Sequence, residues 1–268
     1  PQAGSDLSEI RTVARQDAKG NWTLHGEKIF ISGGDQNLSE HILHLVLART
    51  GRLEDGVRGL TLFLCPSEQQ NGQSNAITVP RIEEKMGLHA SPTCQVVFDG
   101  AQAEAIGPIG KGLPCMFTMM NNARLLVGVQ GVAIAERAYQ QALRYARDRK
   151  QGRPLGEELG AGDMGAIIGH ADVRRMLMTM KSQTEAARAI CYANAVAIDK
   201  AHAATDEAAR AEGQARADLL TPIAKGWSTD IGCEVASIGV QIHGGMGFIE
   251  ETGAAQHYRD ARITPIYE

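Results

Sequence analysis

Residues 105–114 read AIGPIGKGLP, and the apolar pattern differs on the two sides of this stretch. Three glycines and two prolines in ten positions interrupt any helix or strand, since Pro lacks a backbone donor and Gly resists ordering. Upstream, apolar residues come in bursts of about five to eight, bounded by turn chemistry: GNWTLHGEKIFISGG (20–34), HILHLVLART (41–50), GLTLFLCPS (59–67), AITVPRIEE (76–84) and TCQVVFDG (93–100). Their β-branched and aromatic content predicts strands, and five of them predict a small sheet or barrel. Downstream the period becomes helical. Leu125, Val129, Val132 and Ala133 run on toward Tyr139, Leu143 and Tyr145. A second stripe follows Val173, Met176, Leu177, Met180, Ala187, Ile190, Cys191, Ala195 and Ile198, and a third follows Leu220, Ile223, Trp227, Ile231, Val235, Ile238 and Ile242. Three amphipathic helices must bury their stripes on one another, which predicts an antiparallel bundle. The expected fold is therefore α+β and multidomain, with a β-barrel over residues 1–106 and a helical bundle over 107–268. Residues 154–170, with five glycines, read as a loop, and AHAATDEAARAEGQARAD (201–218) reads as a polar turn between helices.

Composition narrows the function. A chain of 268 residues with 43% apolar content fills real cores, and a net charge of -4 offers no broad attraction to polyanions, so no nucleic acid partner is expected. The five cysteines are widely spaced and lack a C-x-x-C pair, which argues against a disulfide framework or zinc site and fits a reducing compartment such as the bacterial cytoplasm or mitochondrial matrix. No apolar run approaches the about 20 residues of a membrane span. The opening PQAGSDLSEI reads as the middle of a longer chain.

Individual motifs are weak. ISGG (31–34) and HGGMGF (243–248) end apolar elements with tandem glycines, which either terminate the element or let backbone N–H groups approach a phosphate. Neither has Rossmann or P-loop spacing. RYARDRKQGR (144–153) has five basic residues, which complement a helix C-terminus or grip a pyrophosphate. His243 is a candidate base with a structural reading beside it, and the other histidines show no close metal-ligand spacing. ITPIYE (263–268) ends on Glu268, either a surface residue or an acid or base held in apolar surroundings.

Taken in order, these pieces resemble the acyl-CoA dehydrogenase family. PQAGSD (1–6) is similar to the end of its T-E-P-x-A-G-S-D stretch, and GEKIFISGG (26–34) to its G-x-K-x-W-I-T-N-G strand. ARDRKQGR (146–153) is similar to its E-R-x-x-F-G-K turn, QIHGGMGF (241–248) to its Q-x-x-G-G-x-G-[FY] segment, and YRDARITPIYE (258–268) to its R-D-x-[RK]-[IL]-x-x-I-Y-E-G-T stretch. The C-terminal portion looks most like the branch with extended C-termini that includes the 3-methylmercaptopropionyl-CoA dehydrogenases. The resemblance implies a middle β-barrel and a C-terminal four-helix bundle, with an N-terminal helical domain outside this chain and FAD between barrel and bundle.

The implied reaction is α,β-dehydrogenation of an acyl-CoA thioester to a trans-2-enoyl-CoA. Glu268 would take the α proton and flavin N5 the β hydride. Phe30 falls where the family has a flavin-packing Trp, and Ser32 where it has a Thr hydroxyl. Arg149, Gln151, Gln241, Gly244 and Gly245 fall on FAD-contacting segments, Gln151 in a turn that lacks the family's Phe and is one residue shorter. Ser5, Asn121, Arg124 and Tyr267 fall among substrate-contacting residues, with Asn121 replacing an Asp. The family implies electron-transfer flavoprotein as electron acceptor, a homodimer or homotetramer, and a place in fatty acid β-oxidation. The alternatives are an acyl-CoA oxidase using oxygen and a DNA-binding alkylation-response member of the same family.

Overall fold

A computed structural model describes residues 3–267; Pro1, Gln2 and Glu268 lie outside them. The chain divides into two compact units, with the boundary between Met119 and Met120.

The first unit contains six strands: β1 (Val13–Gln16), β2 (Trp22–Ser32), β3 (Leu43–Arg49), β4 (Leu60–Pro66), β5 (Ile77–Ile82) and β6 (Thr93–Ile106). Five close into a barrel. β1 pairs antiparallel with β2, β2 with β6, β6 with β4 and β4 with β3, and a parallel bridge from Val13 to Arg49 completes the ring. β5 lies outside that ring, paired with residues 94–98 of β6. The interior is filled by Leu24, Val46, Ala48, Phe63, Cys65, Cys94, Val96, Phe98 and Ala101. Inward residues on β6 run 94, 96, 98 and then 101, because Gly100 (φ 85°) is the extra residue of a bulge between the Leu24–Ala101 and His25–Asp99 pairs. An inserted residue shifts the alternation by one position, and Gly takes the left-handed backbone without strain.

β1 was not among the five expected strands. Only Ala14 of its four residues is buried, so VARQ lacks the alternation that identifies a half-buried strand. β4 has the opposite character. Phe63 and Cys65 face the barrel, while Leu60 and Leu62 pack outside it on Ile10, Leu47, Leu113, Cys115 and Met116, so LTLFLC is apolar on both faces.

Buried polar groups pin the loops of this unit. Arg49, 5% exposed, donates to the carbonyls of Ile10 (2.9 Å), Arg52 (3.1 Å), Gly56 (3.0 Å) and Ser8 (2.6 Å). Asn75, fully buried, donates to Pro66 O and Gln102 O and accepts from Gln102 N–H. Between strands, half-buried Lys28 of β2 donates to Leu47 O of β3 at 2.8 Å, and burial pushes its ammonium down to about 8.

The second unit is helical. α1 (Gly112–Asp148) starts in the first unit and continues into it; α2 (Ala171–Ala203) and α3 (Glu207–His243) follow, and then the short α4 (Gly245–Phe248) and α5 (Ala254–Ala261). The stretch expected as a turn at 201–218 is mostly helix. The break is only residues 204–206, where the Asp206 carboxylate caps α3 by accepting from Ala209 N–H at 3.0 Å. Ala-rich sequence on either side has the highest helix propensity, and a single Asp cap is enough to restart the helix.

The packing is close because the contact residues are small. On α1, Ala135, Ala138, Ala142 and Ala146 are buried at helical spacing, whereas Val129, placed on the stripe by its periodicity, is 38% exposed. A Cβ added at Gly128 would lie 2.7 Å from Ala224 O, and one at Gly131 2.5 Å from Ser228 O. The α1 and α3 backbones therefore touch where the sequence has GVQGV.

Candidate functional site

The end of β2 presents an aromatic side chain at a conformational cost. Lys28 pairs with Val96 and Ile31 with Cys94, so two residues of β2 stand against one of β6. Phe30 is in this bulge with φ 60° and is 68% exposed. A left-handed backbone costs an aromatic residue about 1–2 kcal/mol, and strain of this kind collects at functional sites. Ser32 follows, exposed and paired with Thr93. The two glycines of ISGG have separate duties. Gly33 takes φ 67° with open space around it, while a Cβ at Gly34 would strike Cys94 Cβ at 2.9 Å. Ser5 is exposed in a bend of the same unit, just before Asp6, whose carboxylate accepts from Ser8 N–H at 2.9 Å.

In the second unit, α1 and α3 end close together. Tyr145 stacks on His243 with ring centroids 4.4 Å apart. His243 is 4% exposed, and its Nδ1 donates to Gly239 O at 2.7 Å, so the histidine is a packing element. Arg149 begins the loop after α1, its N–H on Tyr145 O and its carbonyl accepting from Ile167 N–H. Gln151 is fixed in the same way, with its N–H on Gly165 O and its carbonyl accepting from His170 Nε2 at 2.8 Å. The side chains of Arg149 and Gln151 are exposed, as is Gln241 in the last turn of α3. Gly244 has φ 60° and ψ -139°, a conformation open essentially to glycine alone. A Cβ added to Gly244 or Gly245 would meet nothing within 4 Å, whereas one on Gly247 would collide with Val240 O. Crowding therefore explains the last glycine, and the first two leave bare backbone beside an exposed amide and near an exposed guanidinium.

These two surfaces have the chemistry an FAD needs: an aromatic face and a hydroxyl for the ring system, and an Arg with open glycine backbone for the phosphates. Among the described residues there is no group of three or more His, Cys, Asp or Glu side chains placed to hold a metal.

Asn121 and Arg124 share one face of α1, with Arg124 Nη1 3.4 Å from Asn121 Oδ1. Glu268 lies outside the described residues, and Tyr267 directly precedes it. The Tyr267 hydroxyl donates to Gln130 Oε1 at 2.5 Å, a contact that no motif foretold. Its only trace in the sequence is the pair of glycines flanking Gln130. Tyr145 was expected only as part of the helical stripe and of RYARDRKQGR, with no role of its own, and Arg49 lies in no motif with a stated role.

The comparisons with known proteins point one way. The family described as "Acyl-CoA dehydrogenase, middle domain" matches residues 1–101, and that described as "Acyl-CoA dehydrogenase, C-terminal domain" matches residues 110–268. The chain is 52% identical to the 3-methylmercaptopropionyl-CoA dehydrogenase of Ruegeria pomeroyi over 273 residues, covering all of this chain and 46% of that protein. Its fold matches butyryl-CoA dehydrogenase from Megasphaera elsdenii with a TM-score of 0.80 at 30% identity, covering all of this chain and 62% of that one. It also matches an acyl-CoA dehydrogenase from Bacillus anthracis complexed with FAD, with a TM-score of 0.81 at 25% identity and coverage of 100% and 43%. The chain spans about half the length of curated relatives it matches. With matched domains covering nearly all of its length, this chain belongs to the acyl-CoA dehydrogenase family of FAD-dependent oxidoreductases.

Proposed function

We propose that the protein removes two hydrogens from an acyl-CoA thioester, giving a trans-2-enoyl-CoA, with Glu268 as the base that takes the α proton. Thioester α protons are weakly acidic, so a carboxylate can take one only in a site that excludes water and raises its affinity for the proton. FAD, when bound, supplies the two-electron acceptor for the departing β hydrogen. Phe30, Ser32, Arg149, Gln151, Gln241, Gly244 and Gly245 would hold it, and Ser5, Asn121, Arg124 and Tyr267 would meet the thioester ligand. The single observation that carries this reading is Phe30, an exposed aromatic held in a left-handed backbone at the end of β2, where the family keeps an aromatic for its cofactor. Support for a dehydrogenase over an oxidase comes from relatives named as dehydrogenases, among them those from Ruegeria pomeroyi and Megasphaera elsdenii. The proposed acceptor is accordingly electron-transfer flavoprotein, and the proposed assembly a homodimer or homotetramer.

Anaerobic mixing of the FAD-loaded enzyme with a panel that includes butyryl-CoA and 3-methylmercaptopropionyl-CoA tests the reading. Bleaching of the flavin absorbance is expected, and Glu268→Gln should slow it by at least about 100-fold, the usual loss for a general base. Near-normal bleaching in that variant would overturn the assignment. Turnover that runs on oxygen alone, with no gain from electron-transfer flavoprotein, would make the enzyme an oxidase.

A further inference from the structure

We infer that Lys28 is a positioning residue for Phe30: its bond to β3 holds the β2 bulge that presents the aromatic ring to the flavin. This rests on the reading of Phe30 as a cofactor contact. β2 runs from Trp22 to Ser32, but β1 pairs with only its first part, from Gln16–Trp22 to Val13–His25. Beyond His25 the strand keeps β6 along one edge, while β1, which separates β2 from β3 in the ring, has ended. Thr12 and Lys28 bridge the seam that this leaves. Buried Thr12 donates its hydroxyl to Glu27 O at 3.3 Å, and its carbonyl accepts from Arg49 N–H of β3 at 2.8 Å. Next along the strand, Lys28 Nζ donates to Leu47 O at 2.8 Å. Leu47 is a firm anchor, since it is buried, paired with Leu62 of β4 and packed on Ile10 and Leu60.

The bulge begins immediately after Lys28. With Lys28 opposite Val96 and Ile31 opposite Cys94, Ile29 and Phe30 share the space of one residue, and Phe30 takes φ 60°. On its far side the bulge is held by the Ser32–Thr93 pair and by Gly33 N–H on Pro92 O at 2.8 Å. On its near side Lys28 ties it to β3. A strained backbone persists only where its surroundings over-determine it. Released at the near end, Phe30 can relax toward an ordinary φ, and its ring then leaves the direction that the bulge gives it. The lysine exchanges water for one neutral carbonyl, and burial pushes its ammonium down to about 8, so at neutral pH its presence in the fold is a cost. A side chain that lowers stability while fixing a strained, exposed aromatic breaks a local rule in the way functional sites do.

The test combines FAD titration of the full-length protein stripped of its flavin, followed by flavin fluorescence, with melting of the same FAD-free protein at pH 7. Lys28→Met keeps the stem and loses the donor. It should weaken FAD binding about tenfold, since a residue that must be ordered on binding costs about that much, and yet raise the melting temperature. A purely structural role would move affinity and stability in the same direction. Lys28→Arg, which keeps a donor, should recover most of the affinity. Phe30→Leu should weaken FAD binding by itself, and Lys28→Met added to Phe30→Leu should weaken it little further. The inference is overturned if Lys28→Met binds FAD as tightly as the parent while Phe30→Leu does not, or if the two losses add. Unchanged FAD binding in Phe30→Leu would overturn it by a separate route, by removing the cofactor contact that Lys28 positions.

Discussion

In the barrel unit, polar side chains hold the backbone: buried Arg49 and Asn75 tie loops to strands through four carbonyls and three backbone atoms, and half-buried Lys28 ties β2 to β3 through one. In the bundle the corresponding work is done by the absence of side chains, at Gly128, Gly131 and Gly232 and along the alanines of α1. The difference follows from the elements. A barrel strand satisfies its backbone through its neighbours, but the loops between strands bring carbonyls into the interior that need donors from side chains. A helix satisfies its backbone by itself, so two helices gain most by approaching until dispersion contacts are dense. The two units should therefore fail in different ways.

The largest effect is expected at Arg49. Arg49→Met keeps much of the stem packing and leaves the carbonyls of Ser8, Ile10, Arg52 and Gly56 without this donor. The expected loss is about 3–5 kcal/mol in urea unfolding, since each buried group left unpaired costs about 1–3 kcal/mol and some recover water. A loss under 1 kcal/mol would mean that the clamp is dispensable.

Next is the bundle. Gly131→Ala gains about 1 kcal/mol of helix propensity, yet its Cβ would lie 2.5 Å from Ser228 O, on backbone that cannot swing aside. Separating the helices should cost more than the gain, for a net loss of about 1–3 kcal/mol. Gly226, with open space around it, is the control: Gly226→Ala should stabilise the protein. If both alanines stabilise, close approach is not what the glycines provide.

Lys28 tests the polar side of the comparison by pH. Its folded value of about 8 lies below the usual lysine range, so between about 8 and 10.5 the unfolded chain holds a proton that the folded chain has released. Stability then rises with pH across that window, and below about 8 the cost of burying the charge is present in full. Lys28→Met should be the more stable protein at pH 7 by up to about 2–3 kcal/mol, less what the lost bond to Leu47 O contributes, and the advantage should shrink toward pH 10.5. A difference that does not change with pH would show that Lys28 keeps its proton in the fold.

The same contrast explains how far the sequence could be read. Barrel followed by bundle was legible because the change of period at 105–114 reflects which faces are buried, and four of the five ring strands carried enough inward residues to be seen, while AITVPRIEE became β5, outside the ring. β1 was not legible, because one alanine facing inward makes no pattern. Helix was mistaken for turn at 201–218, because polar side chains on an exposed helix face look like a loop until Asp206 is recognised as a cap. Phe30, Arg149 and the 241–245 segment were proposed for the candidate site through family resemblance, and the geometry adds what spacing cannot: the positive φ of Phe30 and the Tyr145–His243 stack. Gln130 was out of reach because its partner is 137 positions away.

The smallest effect concerns a polar contact between two helices of the bundle. Arg188 Nη2 meets Glu136 Oε2 at 2.6 Å between α2 and α1, and Gln140 holds the other carboxylate oxygen at 2.7 Å. Both charged side chains are about one-third exposed, so the pair is screened and contributes only about 0.5–1 kcal/mol. The hydrogen bond from Arg188, and then that from Gln140, hold the Glu136 carboxyl below its ordinary value. Its folded affinity for protons is thus weaker than its unfolded one, and the contribution is present at neutral pH and lost as pH falls through the carboxylate range. Glu136→Gln should accordingly cost under about 1 kcal/mol at pH 7 and nothing at pH 3, as read from melting temperatures at the two pH values. The interaction sits beside Val129 and Tyr192, exposed apolar residues that line the same groove. If the cost at pH 7 instead matched that of Arg49→Met, the pair would be shielded from water in solution, and the bundle would depend on polar pinning as much as the barrel does.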